Sequence, residues 1–177
     1  MRARLLFPCM SFRDRVPAVT FRNETAADDD FLAELYASTR EEELRPVPWT
    51  DEQKRLFLRS QFDAQCAHYR NHYYDAEFLV LERDGVRIGR LYLHWLNDDL
   101  RIVDIALMPS SRGHGLGREI LEALMEEAAA KGCSVSIHVE VNNPALRLYQ
   151  RLGFRHVDEH GMYLLMQWDA DGGAGAK

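Results

Sequence analysis

The sequence of 177 residues has few cysteines, no long apolar run and no excess of basic residues. Its three cysteines, Cys9, Cys66 and Cys133, are odd in number and lack the Cys-x-x-Cys spacing of a metal site, which argues against a disulfide framework. No apolar stretch reaches the roughly 18 residues that a membrane-spanning helix needs. The net charge of -6 argues against a nucleic-acid-binding surface. We therefore expect a cytoplasmic protein without a metal site and without a nucleic-acid or membrane partner.

The chain divides into three stretches by composition. Residues 1–18 contain arginines and prolines without periodicity, so we expect a loose or separately docked arm. Residues 19–168 carry regular apolar patterns and are long enough for one domain with a substantial core. The glycine-rich residues 169–177 predict a disordered tail.

Apolar periodicity within the predicted domain indicates an α/β (α+β) fold. Thr50 and Gln53 have the spacing of a capping box at the start of a long helix. The turn Arg83-Asp84-Gly85 separates two strand-like runs and predicts a hairpin. An antiparallel meander followed by a strand-helix-strand crossover gives a mixed, mostly antiparallel sheet flanked by helices. Strands are predicted near 19–22, 78–82, 86–95, 100–108, 135–141, 155–158 and 162–168, and helices near 28–43, 50–72 and 116–128, with a short one from Pro144.

The most informative segment lies between a β-branched strand and an amphipathic helix, where residues 112–117 read Arg-Gly-His-Gly-Leu-Gly. Glycines there allow close approach of a ligand, and the first helical amides favour an anion. A P-loop would need Gly-Lys followed by Ser or Thr, but Arg118 and Glu119 follow Gly117. A dinucleotide fingerprint would need its third glycine where Arg118 stands. The remaining pattern is Arg-x-x-Gly-x-Gly, formed by Arg112, Gly115 and Gly117.

A second motif follows the next predicted strand. It places Asn142, Ala145 and the pair Leu148-Tyr149 before Gly153-Phe154. Pro144 suits the first turn of a short helix and Gly153 its C-terminal exit. Together the two motifs resemble those of the GCN5-related N-acetyltransferases (GNAT), over residues 100–154 most specifically and over about 20–168 more weakly.

This resemblance implies a site for acetyl-CoA. In such proteins the strand before the glycine loop and the strand after the helix splay apart, and the pantetheine arm lies in the gap beside open backbone groups. The residues implied to bind the cofactor are Ile105, Ala106, Leu107, Arg112, Gly113, His114, Gly115, Leu116, Gly117, Arg118, Asn142 and Tyr149.

The reaction implied is attack of a neutral amine on a thioester. Tyr149 matches the family's tyrosine, and its pKa of about 10, near the about 8.5 of a thiol, suits protonation of the departing thiolate. The alternative is a core tyrosine on a short helix. Three side chains are candidates for the base: Asp104 on the strand before the loop, and His138 and Glu140 on one face of the next strand. We prefer the face that carries His138 and Glu140, and the resemblance supplies no invariant base.

Some side chains are candidates for binding the acceptor, which we expect to be a small-molecule or peptide amine. Glu42 and Trp49 lie near the loop that walls the acceptor pocket in the resembling fold, and Tyr74 and Trp95 belong to an aromatic group that lines this pocket or the core. His68 and His72 have the spacing of a helical metal pair, but no third ligand follows at a recognised spacing, which favours solvent-facing histidines. The sequence does not decide whether the protein forms a homodimer.

The sequence thus predicts an acetyl-CoA-dependent N-acetyltransferase with direct transfer in a ternary complex. A non-catalytic acyl-CoA-binding module is the main alternative, although such a module has no use for a thiolate-protonating tyrosine. A nicotinamide-dependent oxidoreductase is disfavoured by Arg118.

Overall fold

The structure is a computed structural model that describes residues 10–170. The beginning of the predicted arm and most of the predicted tail at 169–177 lie outside this range. The helices are α1 (Phe12–Arg15), α2 (Asp29–Leu44), α3 (Asp51–His72), α4 (Leu116–Lys131) and α5 (Leu146–Arg151). The strands are β1 (Thr20–Asn23), β2 (Glu77–Arg83), β3 (Val86–Trp95), β4 (Asp99–Leu107), β5 (Ser134–Glu140), β6 (Arg155–His160) and β7 (Tyr163–Trp168).

The chain forms two compact units, and β4 contributes to both. The first unit contains the described residues up to 18, residues 95–101, and those from 115 onward. The second contains residues 19–94 and 102–114. Strand order is β4-β5-β7-β6 in the first unit and β1-β2-β3-β4 in the second. The predicted class, a mostly antiparallel seven-stranded sheet flanked by helices, is confirmed.

Helices α2 and α3 cover the core of the second unit. Their apolar faces contribute Phe31, Leu35 and Phe62, which pack with Val80 of β2. The long helix α3 starts with the predicted capping box: the Thr50 hydroxyl accepts from the Gln53 amide, and the Gln53 side chain accepts from the Thr50 amide. The capping-box signal in the sequence therefore predicted the start of α3 correctly.

Helix α4 is central to the first unit. Its predicted apolar face is buried, because Leu116, Ile120, Leu121 and Leu124 are each at most 2% exposed. Part of the predicted arm docks on this helix: Phe12 of α1 is buried, and its amide donates to Glu127 Oε2 over 2.6 Å.

Two details differ from the sequence predictions or refine them. Pro144 lies in the turn before α5, which begins only at Leu146, because Asn143 Oδ1 accepts from the Ala145 amide and stabilises that turn. Asp84 and Gly85 both have positive φ (52° and 76°), the backbone required for the tight β2–β3 turn. Across residues 10–170, no helix is both long and apolar enough to cross a bilayer.

Candidate functional site

The glycine loop is exposed and has open space on its outer side. Gly113 (φ 77°) and Gly115 (φ 84°) both occupy the left-handed region, which an L side chain adopts only with strain. A Cβ built on either glycine would meet no atom within 4 Å. A ligand could therefore approach this backbone closely.

The loop leads directly into the start of α4. Gly115 is the N-cap residue and has no side chain to satisfy the first helical amides, those of Leu116, Gly117 and Arg118. Leu116 anchors the helix in the core, whereas the Arg118 side chain is exposed and pairs with Glu122 over 2.8 Å. The helix start thus presents uncapped backbone donors at its positive end, which favours an anionic ligand.

Arg112, a predicted cofactor contact, makes two hydrogen bonds within the protein. Its Nε donates to the Leu107 carbonyl (2.7 Å), and its Nη2 donates to Ser38 Oγ (2.8 Å). Within the described part of the chain, this leaves Nη1 as its free donor group. The backbone of residues 105–107 was predicted to be open to the cofactor, and within it the Leu107 carbonyl accepts a hydrogen bond from the loop's own arginine.

Strands β3 and β4 approach very closely just before this point. A Cβ on Gly89 would lie only 2.4 Å from the Ala106 carbonyl oxygen. Any side chain at position 89 would therefore displace the end of β4, which makes this glycine a requirement of the local geometry.

Asp104, one of the predicted bases, takes part in a buried polar network. Its Oδ2 accepts from Arg90 Nη2 (2.6 Å) and from the Tyr69 hydroxyl (3.0 Å). Arg90 also donates to Gln65 Oε1 (2.7 Å) and is 2% exposed. One oxygen of this carboxylate therefore accepts from both a buried guanidinium and a tyrosine hydroxyl.

The network around Arg90 is incompletely satisfied. Its Nε and Nη1 are buried without a hydrogen-bond partner, although its guanidinium carbon lies 5.2 Å from the Tyr92 ring centroid. The Tyr92 hydroxyl donates to Glu24 Oε2 (2.6 Å), and burial raises the pKa of this hydroxyl well above its usual range. This region combines a buried charge pair with buried polar groups, so removing one partner would be costly.

His138, the second candidate base, is exposed on β5 and contacts a different arginine. Arg101 Nη1 lies 2.7 Å from His138 Nδ1, and Arg101 Nε donates to Ser136 Oγ over 2.8 Å. Burial first, then Arg101 and His160, lower the pKa of His138 below its usual value, with Asp158 opposing them. The imidazole is therefore biased toward its neutral form.

Glu140, the third candidate, is half-buried at the end of β5. Its Oε1 accepts from the Tyr163 hydroxyl over 3.2 Å. It lies two residues from His138, so alternation places both side chains on one face of the strand, as predicted. Asn142, a predicted cofactor contact, is exposed in the following turn.

Tyr149 is 4% exposed on α5. Its ring packs against Phe154 at a centroid distance of 5.6 Å, and the Phe154 amide donates to the Tyr149 carbonyl. Gly153 between them has φ 91°, which confirms its predicted place at the helix exit. The side chain is thus held firmly, and its catalytic role stays a prediction.

The residues predicted to bind the acceptor occupy separate surroundings. Glu42 is exposed on α2, Trp49 packs edge-on against Phe57, and the Tyr74 residue is 85% exposed. Lys131 Nζ lies 3.6 Å from the Trp95 ring centroid.

Of the predicted aromatic group Tyr69, Tyr73, Tyr74 and Trp95, a ring contact joins Tyr69 and Tyr73. These two belong to a cluster that also includes His68, Phe78, Tyr92 and His94.

The paired histidines of α3 form no metal centre. His68 and His72 are exposed and stack on one another with ring centroids 4.1 Å apart. Nowhere in residues 10–170 do three His, Cys, Asp or Glu side chains gather closely enough to hold a metal ion.

Sequence reasoning missed Arg90 and Arg101. Arg90 lies in the buried middle of β3, between Gly89 and Leu91, and a charge in such a position signals a partner in a neighbouring element. Arg101 stands next to Leu100 at the start of β4 without any motif around it, so its contact with His138 had no local signal.

Comparison with known proteins identifies the class to which this fold and loop belong. The family model described as "Acetyltransferase (GNAT) family" matches residues 32–154, which include the glycine loop, Glu140 and Tyr149. The chain belongs to this acetyltransferase family.

Individual relatives agree with this membership. A Bacillus subtilis protein, provisionally named as a ribosomal protein bS18-alanine N-acetyltransferase, is 29% identical over 157 residues, which cover 83% of this chain and 92% of the relative. An N-alpha-acetyltransferase of Sulfurisphaera tokodaii is 30% identical over 56% of this chain and 65% of the relative.

Solved structures support the fold. The PaiA N-acetyltransferase of Thermoplasma acidophilum, solved in complex with coenzyme A, has a TM-score of 0.63 and 17% identity, covering 85% of this chain and 98% of that one. The ribosomal-protein-S18-alanine N-acetyltransferase of Escherichia coli has a TM-score of 0.56 and 18% identity, with coverage of 85% and 93%.

Proposed function

We propose that this protein transfers the acetyl group of acetyl-CoA directly to a primary amine while both are bound. The observation that carries the proposal is the exposed glycine loop at the uncapped start of α4, in a chain that belongs to the GNAT family. The solved PaiA neighbour contains coenzyme A, which is consistent with this cosubstrate.

The loop has the donors that a pyrophosphate needs. Backbone amides from Gly113 to Arg118 would hold it, with Arg112 Nη1 as an additional charged donor. Acetyl-CoA supplies an activated thioester carbonyl to the amine. The remaining task of the protein is to remove a proton from the acceptor ammonium and to return one to the departing thiolate.

We propose Glu140 as the base, in line with the preferred strand face. Asp104 is engaged by Arg90 and Tyr69, and the Nδ1 lone pair of His138 is engaged by Arg101. Glu140 Oε1 accepts a hydrogen bond from the Tyr163 hydroxyl over 3.2 Å. A half-buried carboxylate of this kind can accept a proton directly or through water.

Tyr149 is proposed to protonate the thiolate, as its motif implies. Its packing against Phe154 fixes the ring, which a proton donor requires. Retention of this tyrosine argues against the alternative of a non-catalytic acyl-CoA-binding module.

The acceptor class is suggested by relatives whose names specify an alanine of ribosomal protein bS18 or an N-alpha position. We propose a protein or peptide α-amine, with Glu42 and Trp49 near the acceptor. Another relative is a thialysine N-epsilon-acetyltransferase of Mus musculus, which is 30% identical over 46% of this chain and 49% of the relative. Small amines should therefore be tested as acceptors together with peptides. A cytoplasmic location and a homodimer stay predictions.

Calorimetric binding of acetyl-CoA combined with thiol release on a panel of amines tests the proposal. We expect binding, and release that depends on the amine. Binding without release from any amine would favour the non-catalytic module, and binding of a nicotinamide dinucleotide in place of acetyl-CoA would overturn the proposal.

A matched pair of glycine variants tests the loop. Gly115→Val should abolish acetyl-CoA binding, because its side chain would fill the open space beside the loop. Gly132→Val is the control, since Gly132 ends the same helix with φ 73° and equally open surroundings. Both variants carry a similar backbone strain, so only loss of binding specific to Gly115→Val supports the phosphate site.

A further inference from the structure

His138 is held by a chain of hydrogen bonds that begins at Asp99. The Ser134 and Ser136 hydroxyls both donate to the Asp99 carboxylate. Ser136 in turn accepts from Arg101 Nε, and Arg101 Nη1 contacts His138 Nδ1 at 2.7 Å. Ser136 is 2% exposed, so the inner part of this chain is shielded from water and fixes the direction of the guanidinium.

The contact with Arg101 determines where the imidazole proton lies. A guanidinium has only donors, so Nδ1 must provide the lone pair. In a neutral imidazole the other nitrogen, Nε2, then carries the hydrogen. Neither nitrogen has a lone pair free to accept a proton from a substrate, which makes His138 a hydrogen-bond donor and not a base.

The Nε2 of His138 is accessible to a ligand. His138 is exposed, and no acceptor for Nε2 occurs among the described residues. The titratable groups that face the imidazole are Arg101, His160 and Asp158. Glu140 lies two residues further along β5, so roughly 7 Å of strand separates the fixed donor from the proposed base.

We infer that His138 recognises a carbonyl oxygen of the acceptor through Nε2–H, with Arg101 as the positioning residue that selects this tautomer. This inference rests on the proposed function. It gives a preference for amines that carry a carbonyl close to the reactive nitrogen, as the α-amine of a peptide does.

The groups near His138 do not provide a single sign of charge, because Arg101 is cationic and Asp158 is anionic. A peptide carbonyl accepts a hydrogen bond without bringing a charge. The backbone carbonyl that follows an N-terminal amine meets this requirement.

Two matched acceptors test the inference: alaninamide, which has a carbonyl beside the amine, and isopropylamine, which has none. In His138→Ala we expect kcat/KM for alaninamide to fall about tenfold, mainly through KM, because one hydrogen bond is lost. The value for isopropylamine should not change, and His138→Gln should recover part of the loss because its amide can donate. His156→Ala, an exposed histidine on β6, is the control.

The outcomes separate this inference from the proposed function. An equal loss with both acceptors would overturn recognition of the carbonyl. If wild-type protein binds acetyl-CoA but acetylates neither amine nor any peptide, the proposed function itself fails.

Nitrogen NMR of the His138 ring tests the role of Arg101. We expect Nε2 to be protonated and Nδ1 unprotonated in the wild-type protein, and Arg101→Met to give a mixture of tautomers. A protonated Nδ1 in the wild-type protein would overturn the inference.

Discussion

Arg90 and Arg101 each contact a side chain that the sequence nominated as a base, yet they act differently. Arg90 is buried and forms a charge pair with Asp104, with Tyr69 donating to the same carboxylate oxygen. Arg101 donates to the neutral imidazole of His138 and lies at the more exposed surface of the other unit.

The difference shows how the chemistry of the partner determines what an arginine does. Next to a carboxylate, a guanidinium stabilises the charged form and creates a pair that is costly to break. Next to an imidazole, the same group opposes the charged form and selects a tautomer. Asp104 and His138 are therefore each engaged by an arginine, with different consequences.

The largest effect is expected from breaking the buried pair. Arg90→Met should lower the free energy of unfolding by about 3 kcal/mol, because the partly buried Asp104 carboxylate would lose its cation. Arg101→Met should cost about 1 kcal/mol, since it removes the hydrogen bonds to Ser136 and His138 but leaves no buried charge unpaired. Denaturant unfolding of both variants measures the contrast.

The double variant Arg90→Met, Asp104→Leu sharpens this test. It removes the uncompensated charge and should recover much of the lost stability, because two buried nitrogens of Arg90 are unsatisfied already. Equal losses in the Arg90 and Arg101 variants would contradict the comparison.

The second prediction concerns Glu140, the proposed base. Glu140→Gln should lower kcat/KM about 10²- to 10⁴-fold and remove the acidic limb of its pH profile. Asp104→Asn and His138→Gln should keep that limb. The acceptor's own pKa must be known, because titration of the ammonium produces a similar limb. A limb that survives in Glu140→Gln and disappears in His138→Gln would reverse our assignment.

The third prediction separates chemistry from packing at Tyr149. Tyr149→Phe keeps the ring against Phe154 and should lower kcat about 100-fold, with little change in acetyl-CoA affinity. Single-turnover kinetics and calorimetry measure the two quantities. Unchanged turnover would return Tyr149 to a purely structural role.

The smallest effect concerns pH. Because the pKa of His138 is lowered in the folded protein, the unfolded chain takes up the proton first as pH falls below about 6.5. This residue therefore lowers stability as pH falls from about 6.5 to its folded pKa, and has no effect above that range. Arg101→Leu should raise the pKa of His138 and so reduce this loss of stability at low pH. NMR titration of the His138 ring measures the pKa. A further decrease of that pKa in the variant would contradict the comparison.

The elements of the fold were predictable where the signal was local. The capping box at Thr50 and the left-handed Gly153 occur where the sequence places them. Pro144 was placed inside a helix that begins later, because the side-chain contact of Asn143 in the preceding turn was not considered.

The site was less predictable than the fold. Tyr74 and Trp95 were grouped by residue type, whereas the cluster that forms is determined by which strand and helix positions face each other. The Leu107 carbonyl was predicted open, but Arg112 reaches back to it from five residues along the chain.

The sequence by itself determined the glycine loop, the helix that follows it and the family, because these depend on residues adjacent along the chain. Only the tertiary structure decided what Asp104 and His138 can do. Their partners Arg90 and Arg101 come from other strands, 14 and 37 residues away. The protonation behaviour of a side chain follows from the charges and hydrogen bonds around it, and folding brings those together.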